Sequence, residues 1–177
     1  ALTGLALATL IASLIAADAP KPDPEPPVVD PGAVGGPPSD AIVLFAGQDL
    51  SRFRGEKKPE PTWKLANGVM ESTPPGGIFS KEEFGDCQLH VEWAAPSEVK
   101  GDGQGRGNSG VYLMGRYEIQ VLDGDKGTHG MAAVINEAAA AVDAYNGTGK
   151  WNAYDITFRA ARFKDGKRAE KAMLTMY

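Results

Sequence analysis

The stretch RYEIQVLDG, Arg116–Gly124, decides how the chain is read. Strand side chains alternate between faces, so Tyr117, Ile119 and Val121 join a core while Glu118 and Gln120 share the opposite surface. A carboxylate beside a carboxamide on so apolar a strand marks either the wet face of an antiparallel sheet or a site. The neighbouring segments have to choose between the two.

Asp86–Ala95, DCQLHVEWAA, alternates in the same way, with Cys87, Leu89, Val91 and Trp93 on one face and Gln88, His90 and Glu92 on the other. SGVYLMG, Ser109–Gly115, precedes the opening stretch and presents Tyr112 and Met114 together. Upstream, DAIVLF, Asp40–Phe45, is expected as the first strand, followed by a turn through AGQDLSRF. TWKLA and GVMES flank Asn67-Gly68, a hairpin turn signal, and GIFS follows a Pro-Gly cluster. WNAYDITFR and KAMLTMY are later strands, with the turn KDGK between them. Ile135–Tyr145, INEAAAAVDAY, holds helix-forming alanines but is expected to be a long loop with one helical turn. Short alternating strands separated by turns imply an all-β domain of two stacked antiparallel sheets.

Composition agrees: 22 Gly and 13 Pro in 177 residues favour turns, and 42% hydrophobic content is ordinary for a globular protein. A net charge of -5 without a basic stripe argues against a nucleic-acid partner. Cys87 is the only cysteine, which excludes an intrachain disulfide and a cysteine-based zinc site. Ala1–Ala17, ALTGLALATLIASLIAA, resembles the apolar part of a secretory signal; it is short for a membrane span, so export is expected, with no stable membrane span after processing. Pro20–Pro38 carries eight of the prolines and reads as an extended spacer. The expected organisation is therefore a signal-like segment over 1–19, a linker over 20–38 and a β-sandwich over 39–177.

If the polar faces of these strands lie in one curved sheet, Gln88, His90, Glu92, Tyr112, Glu118 and Gln120 line a groove. Carboxylates, amides and aromatic faces together suit a carbohydrate, which needs hydrogen bonds to hydroxyls and an apolar stacking surface. GDGQGRGNSG, Gly101–Gly110, leads into a strand instead of opening a helix, so it is not a dinucleotide fingerprint; it either presents Arg106 and Asn108 at the groove or is a solvated loop. In LDGDKG, Gly127 and Val134 occupy positions where an EF-hand needs ligands. Asp123 is left as a candidate for a looser divalent-metal site or as a strand-end turn residue. His129, in KGTHG, is read as a surface residue with a catalytic or ligand role as the alternative, and Asn146-Gly147-Thr148 as a turn or a glycosylation acceptor.

GDCQLHVEW, GRGNSGVYLMGRYEIQVLD and GKWNAYDITFRAARF, taken in order and spacing, resemble the core of the bacterial 3-keto-disaccharide hydrolase family (DUF1080), over roughly Asp40 to Tyr177. The resemblance implies a concanavalin A-like jelly-roll sandwich and hydrolysis of glycosides oxidised at sugar C3. It also implies strands beyond KAMLTMY, so the sandwich is expected to be C-terminally incomplete here, and it makes the aromatic-poor loop Met131–Ala144 a departure from the family. In that chemistry a carboxylate removes the acidified C2 proton while the C1 group leaves, and water adds back. The expected base is Glu118, with Glu92 as acid or orienter and Asn108 and Gln120 binding hydroxyls or the enolate oxygen. His90, Arg106 and Tyr112 complete the expected substrate contacts. A non-catalytic carbohydrate-binding module and a structural cell-envelope protein are the rival readings.

Overall fold

The computed structural model describes residues 25–74 and 76–177; the signal-like segment and the start of the linker lie outside them. The chain divides into two compact units at Val43/Leu44. In the described part of the first, Ser39 and Asp30 close a loop: Ser39 N–H donates to the Asp30 carbonyl at 2.9 Å, and Asp30 N–H to Ser39 Oγ at 3.0 Å. Asp40–Phe45, expected as a strand, forms none. A ladder needs a partner strand, and the first pairing falls further on, at Phe53.

The second unit holds eleven strands among its described residues: β1 (Phe53–Gly55), β2 (Lys64–Ala66), β3 (Val69–Glu71), β4 (Ile78–Ser80), β5 (Cys87–Ala94), β6 (Ser109–Leu113), β7 (Tyr117–Val121), β8 (Trp151–Arg159), β9 (Arg162–Lys164), β10 (Lys167–Glu170) and β11 (Met173–Met176). All pairings are antiparallel. β11, β8 and β5 form one sheet, β6 and β7 another, and β1–β4, β2–β3 and β9–β10 are smaller pairs. Two hairpins owe their tightness to residues that tolerate left-handed backbone: Asn67-Gly68 (φ 52 and 75) joins β2 to β3, and Asp165-Gly166 (φ 52 and 72) joins β9 to β10. The alanine-rich segment is a loop, as expected, but contains no helical turn. Val134 and Ala138 exchange backbone hydrogen bonds across a short turn instead.

The core lies between the two principal sheets. Trp93 from β5 and Tyr154, Ile156 and Phe158 from β8 pack against Leu113 from β6 and Ile119 and Val121 from β7. Trp93 stands between two phenols, stacked at 6.0 Å on Tyr145 and tilted at 5.5 Å against Tyr154. One polar bond crosses the layers: the buried Tyr154 hydroxyl donates to the Gln120 carbonyl at 2.7 Å, and burial raises that phenol's pKa. Ile119 is 0% exposed and the Val111 ladder partner, so its side chain fills space that nothing else can occupy. Ile119→Ala is expected to lower stability by about 3–4 kcal/mol. Glu118→Gln, one residue away on the other face, is expected to change it by about 0.5 kcal/mol or less. Denaturant unfolding of the two variants checks this, and equal losses would contradict the assigned faces.

Candidate functional site on the outer face of β6 and β7

Because Ile119 and Val121 point into the core, Glu118 and Gln120 project from the opposite side of β7, and β6 adds Gly110 and Tyr112 to that face. Tyr112 lies directly opposite Glu118, and Gly110 opposite Gln120. The missing side chain at Gly110 is used: a Cβ there would fall 2.5 Å from Oε1 of Glu118 and 3.1 Å from its Cγ and Cδ. The Glu118 carboxylate thus lies over bare backbone. Its hydrogen bonding to the Tyr112 phenol, with some desolvation, pushes that phenol up to about 12.

The other edge of β7 is covered by the segment after it. Gln120 and Ala133 bond through backbone, Ala132 N–H donates to the Gln120 carbonyl at 3.0 Å, and Ile135 N–H donates to the Glu118 carbonyl at 3.1 Å. This cover changes the reading of Gln120, expected on an open surface but only 3% exposed. Its amide donates to Gln104 Oε1 at 3.0 Å and to the His129 carbonyl at 3.2 Å, and its own Oε1 is buried without a donor. Gln104, in the 3-10 turn Gly103–Gly105, binds the same His129 carbonyl at 2.8 Å, and Asn108 donates to the Gln104 carbonyl at 2.9 Å. Three carboxamides therefore hold one another, and both glutamine amides must point their nitrogens at the carbonyl because it only accepts.

Glu92 and His90 do not belong to this site. β5 lies in the other sheet, where Val91 and Trp93 turn inward and Glu92 and His90 outward, so the core separates them from Glu118. The expected Glu118–Glu92 pair is corrected accordingly, as is the single groove joining both strands. His90 instead pairs across the ladder with Asp155, Nδ1 to Oδ1 at 2.7 Å, on an exposed surface. Alternation was right for each strand; the error lay in placing two outward faces in one sheet.

Asp123 is engaged within the protein. It is 5% exposed, and both carboxylate oxygens are taken: Oδ2 accepts from Arg106 Nε at 2.6 Å, while Oδ1 accepts from Thr148 Oγ1 at 2.7 Å and from the Tyr145 hydroxyl. Arg106, expected at the substrate, is spent on this carboxylate and on Thr148 Oγ1 at 3.1 Å. The Thr148 hydroxyl is engaged as well, so the Asn-Gly-Thr triplet serves as a loop anchor. A cavity of about 340 Å³ lined by Glu71, Glu98, Lys100, Arg106 and Asp123 adjoins this cluster. Among the described residues no three His, Cys, Asp or Glu side chains converge as metal ligands would.

Sequence reading missed Gln104, Asn136, Tyr145 and Thr148. A lone carboxamide between glycines in GQGRG was the available signal for Gln104; the roles of the others depend on contacts between loops distant in sequence.

Fold and face together define an antiparallel β-sandwich carrying one carboxylate among amides and a phenol. The chain belongs to the family of 3-keto-alpha-glucoside-1,2-lyase-like domains, whose model matches residues 40–168. A crystal structure from Parabacteroides distasonis, provisionally described as a glycosyl hydrolase, is 38% identical over 87% of this chain and 70% of that one, with a TM-score of 0.81. A second from that organism, described in the same way, is 14% identical with a TM-score of 0.55 over 75% of this chain and 70% of its own, and shares the fold. No curated protein matches at a significant level. Membership in the family points to hydrolase-like or lyase-like action on glycosides.

Hydrogen bonding to Arg106, foremost, and then to Tyr145 and Thr148 outweighs burial and lowers Asp123 to about 2. A depressed carboxylate contributes its full stability above the unfolded-state value near 4 and loses it as pH falls toward 2. Asp123→Asn should cost roughly 2–3 kcal/mol at neutral pH and flatten the stability profile between about pH 4 and 2. Thermal melts across that range test the sign. On the outer face of β6 and β7, Gly110→Ala should displace the Glu118 carboxylate and lower activity far more than stability, read by comparing turnover with the unfolding midpoint.

Proposed function

We propose that the protein cleaves glycosides oxidised at C3, with Glu118 as the base that removes the C2 proton. The observation that carries this reading is the Glu118 carboxylate lying over Gly110, beside the Tyr112 phenol and within reach of no cation among the ion pairs of the described residues. A carboxylate committed to an Arg or Lys would be a weaker base, whereas Glu118 has one neutral phenol donor on it and keeps its remaining lone pairs for a proton. The bare backbone at Gly110 is what lets the Glu118 carboxylate lie where it does.

The C3 carbonyl acidifies the neighbouring C2–H. Glu118 takes that proton, the C1 group departs, and water adds to the resulting unsaturated ketone. Tyr112, whose one hydroxyl hydrogen goes to Glu118, orients that carboxylate and is suited to accept a hydrogen bond from a sugar hydroxyl. Asn108, exposed at the mouth of β6, is suited to bind hydroxyls; Gln120 supports the site from beneath through Gln104 and the His129 carbonyl. Export to the periplasm or cell exterior belongs to the same proposal and rests on the apolar sequence Ala1–Ala17.

A carbohydrate-binding module without catalysis is the second reading, favoured by the loss of Glu92 from the site, because one carboxylate among amides also suits recognition alone. Glu118→Gln separates the two. As a base, Glu118 is expected to lose turnover by about 100-fold or more on substitution while substrate affinity and fold are kept. As a binding group it would lose only affinity. In deuterated water the wild-type protein is expected to place deuterium at C2 of the product. Retention of the original hydrogen there would exclude elimination.

A further inference from the structure

We infer that His129 is the proton donor to the departing glycosidic oxygen and the acceptor of the proton from the incoming water, an assignment that rests on the elimination reading above. Removing Glu92 to the far side of the core leaves the leaving group without the acid expected for it. Tyr112, held up to about 12, gives up its proton too reluctantly to fill that place near neutral pH.

His129 is built into the same face as Glu118 from two directions. Its carbonyl is gripped by the side-chain amides of Gln104 and Gln120 at 2.8 and 3.2 Å, which ties its backbone to the level of Gln120. Its ring reaches the other way: Nε2 meets Asn136 Oδ1 at 2.9 Å. Asn136 follows Ile135, whose N–H bonds the Glu118 carbonyl, so the ring is secured between the levels of Gln120 and Glu118. The left-handed backbone at Asn136 (φ 64), a conformation asparagine tolerates, belongs to the turn that carries this side chain.

That arrangement sorts the two ring nitrogens. Asn136 Oδ1 only accepts, so it keeps a proton on Nε2, the way an orienting group fixes a catalytic imidazole. Nδ1 is left as the exchanging atom. Its contact is the hydroxyl of Thr128 at 3.3 Å, a long bond from an exposed neighbour that a substrate oxygen can displace. The proton balance closes on these two residues. Glu118 takes the C2 proton, the C1–O bond breaks, and the leaving oxygen takes the Nδ1 proton of the imidazolium. Water then forms its bond to C1 and gives a proton to Nδ1, while Glu118, its carboxyl proton exchanged with solvent, protonates C2. Glycoside and water become two sugars, or a sugar and an alcohol, with both side chains restored.

The test compares two 3-keto glucosides, one with an alkyl leaving group and one with a nitrophenyl group that departs without a proton, in single-turnover release by the full chain. His129→Gln is expected to slow alkyl release by about 100-fold or more and nitrophenol release by less than about tenfold. Asn136→Ala, which keeps the ring but frees Nε2, is expected to give the same split more weakly. Equal losses on both substrates, as a purely structural role would produce, overturn the assignment, and so does unchanged release on both. Glu118→Gln should lose both substrates alike. A wild-type protein that releases neither group overturns the elimination reading, whereas wild-type turnover with no split in either His129 or Asn136 variant overturns only the role of His129.

Discussion

Asp123 is a charge taken almost wholly out of water, and it stays ionised there because Arg106, Tyr145 and Thr148 each direct a hydrogen toward it. An unpaired carboxylate so placed would be costly, so the three donors cannot leave independently. They come from two loops, one running into β6 and one running into β8, and Asp123 itself lies two residues past the end of the strand that carries Glu118. One buried carboxylate therefore sets where both loops meet β7. The stacking of Tyr145 on Trp93 ties the same junction to the core, since the ring whose hydroxyl serves Asp123 has its face on the indole.

The division of labour within β7 follows from alternation. Ile119 and Val121 close the core, and Glu118 and Gln120 go to the other side; a slip of one residue would exchange the sets and lose both. The Tyr154 hydroxyl on the Gln120 carbonyl opposes such a slip from the core side, and the backbone bonds to Ala132, Ala133 and Ile135 oppose it from the free edge. The face of the sheet is thus held in register by contacts that never touch a ligand.

How much of this the sequence disclosed depended on distance along the chain. β5, β6, β7 and β8 were legible because alternation and turn chemistry are local, and the Asn67-Gly68 and Asp165-Gly166 hairpins because their dihedrals demand those residues. Asp40–Phe45 misled because its apolar residues satisfy strand propensity, while a ladder also needs a partner that propensity cannot supply. Which strands share a sheet is a non-local fact, and that is where Glu92 and His90 went astray: their outward orientation was read correctly and their sheet was not. Asp123, weighed as a metal ligand or a strand-end turn residue, and Arg106, weighed for the groove or a solvated loop, were left open for a related reason. Each has the chemistry of a ligand-binding residue, and only their mutual contact shows that they satisfy one another.

Gly110 gives the face a floor made of main chain, while nearly everything around that floor is a loop: 101–108 on one side and 127–138 on the other. A backbone floor offers few side chains to vary, so mutation there can block the face but hardly retune it. The loops are free to exchange sequence as long as one carboxamide still reaches one carbonyl. Divergence of substrate preference among such domains would then accumulate in the rims at constant strand register, so that comparing whole sheets would understate how far two members have drifted apart.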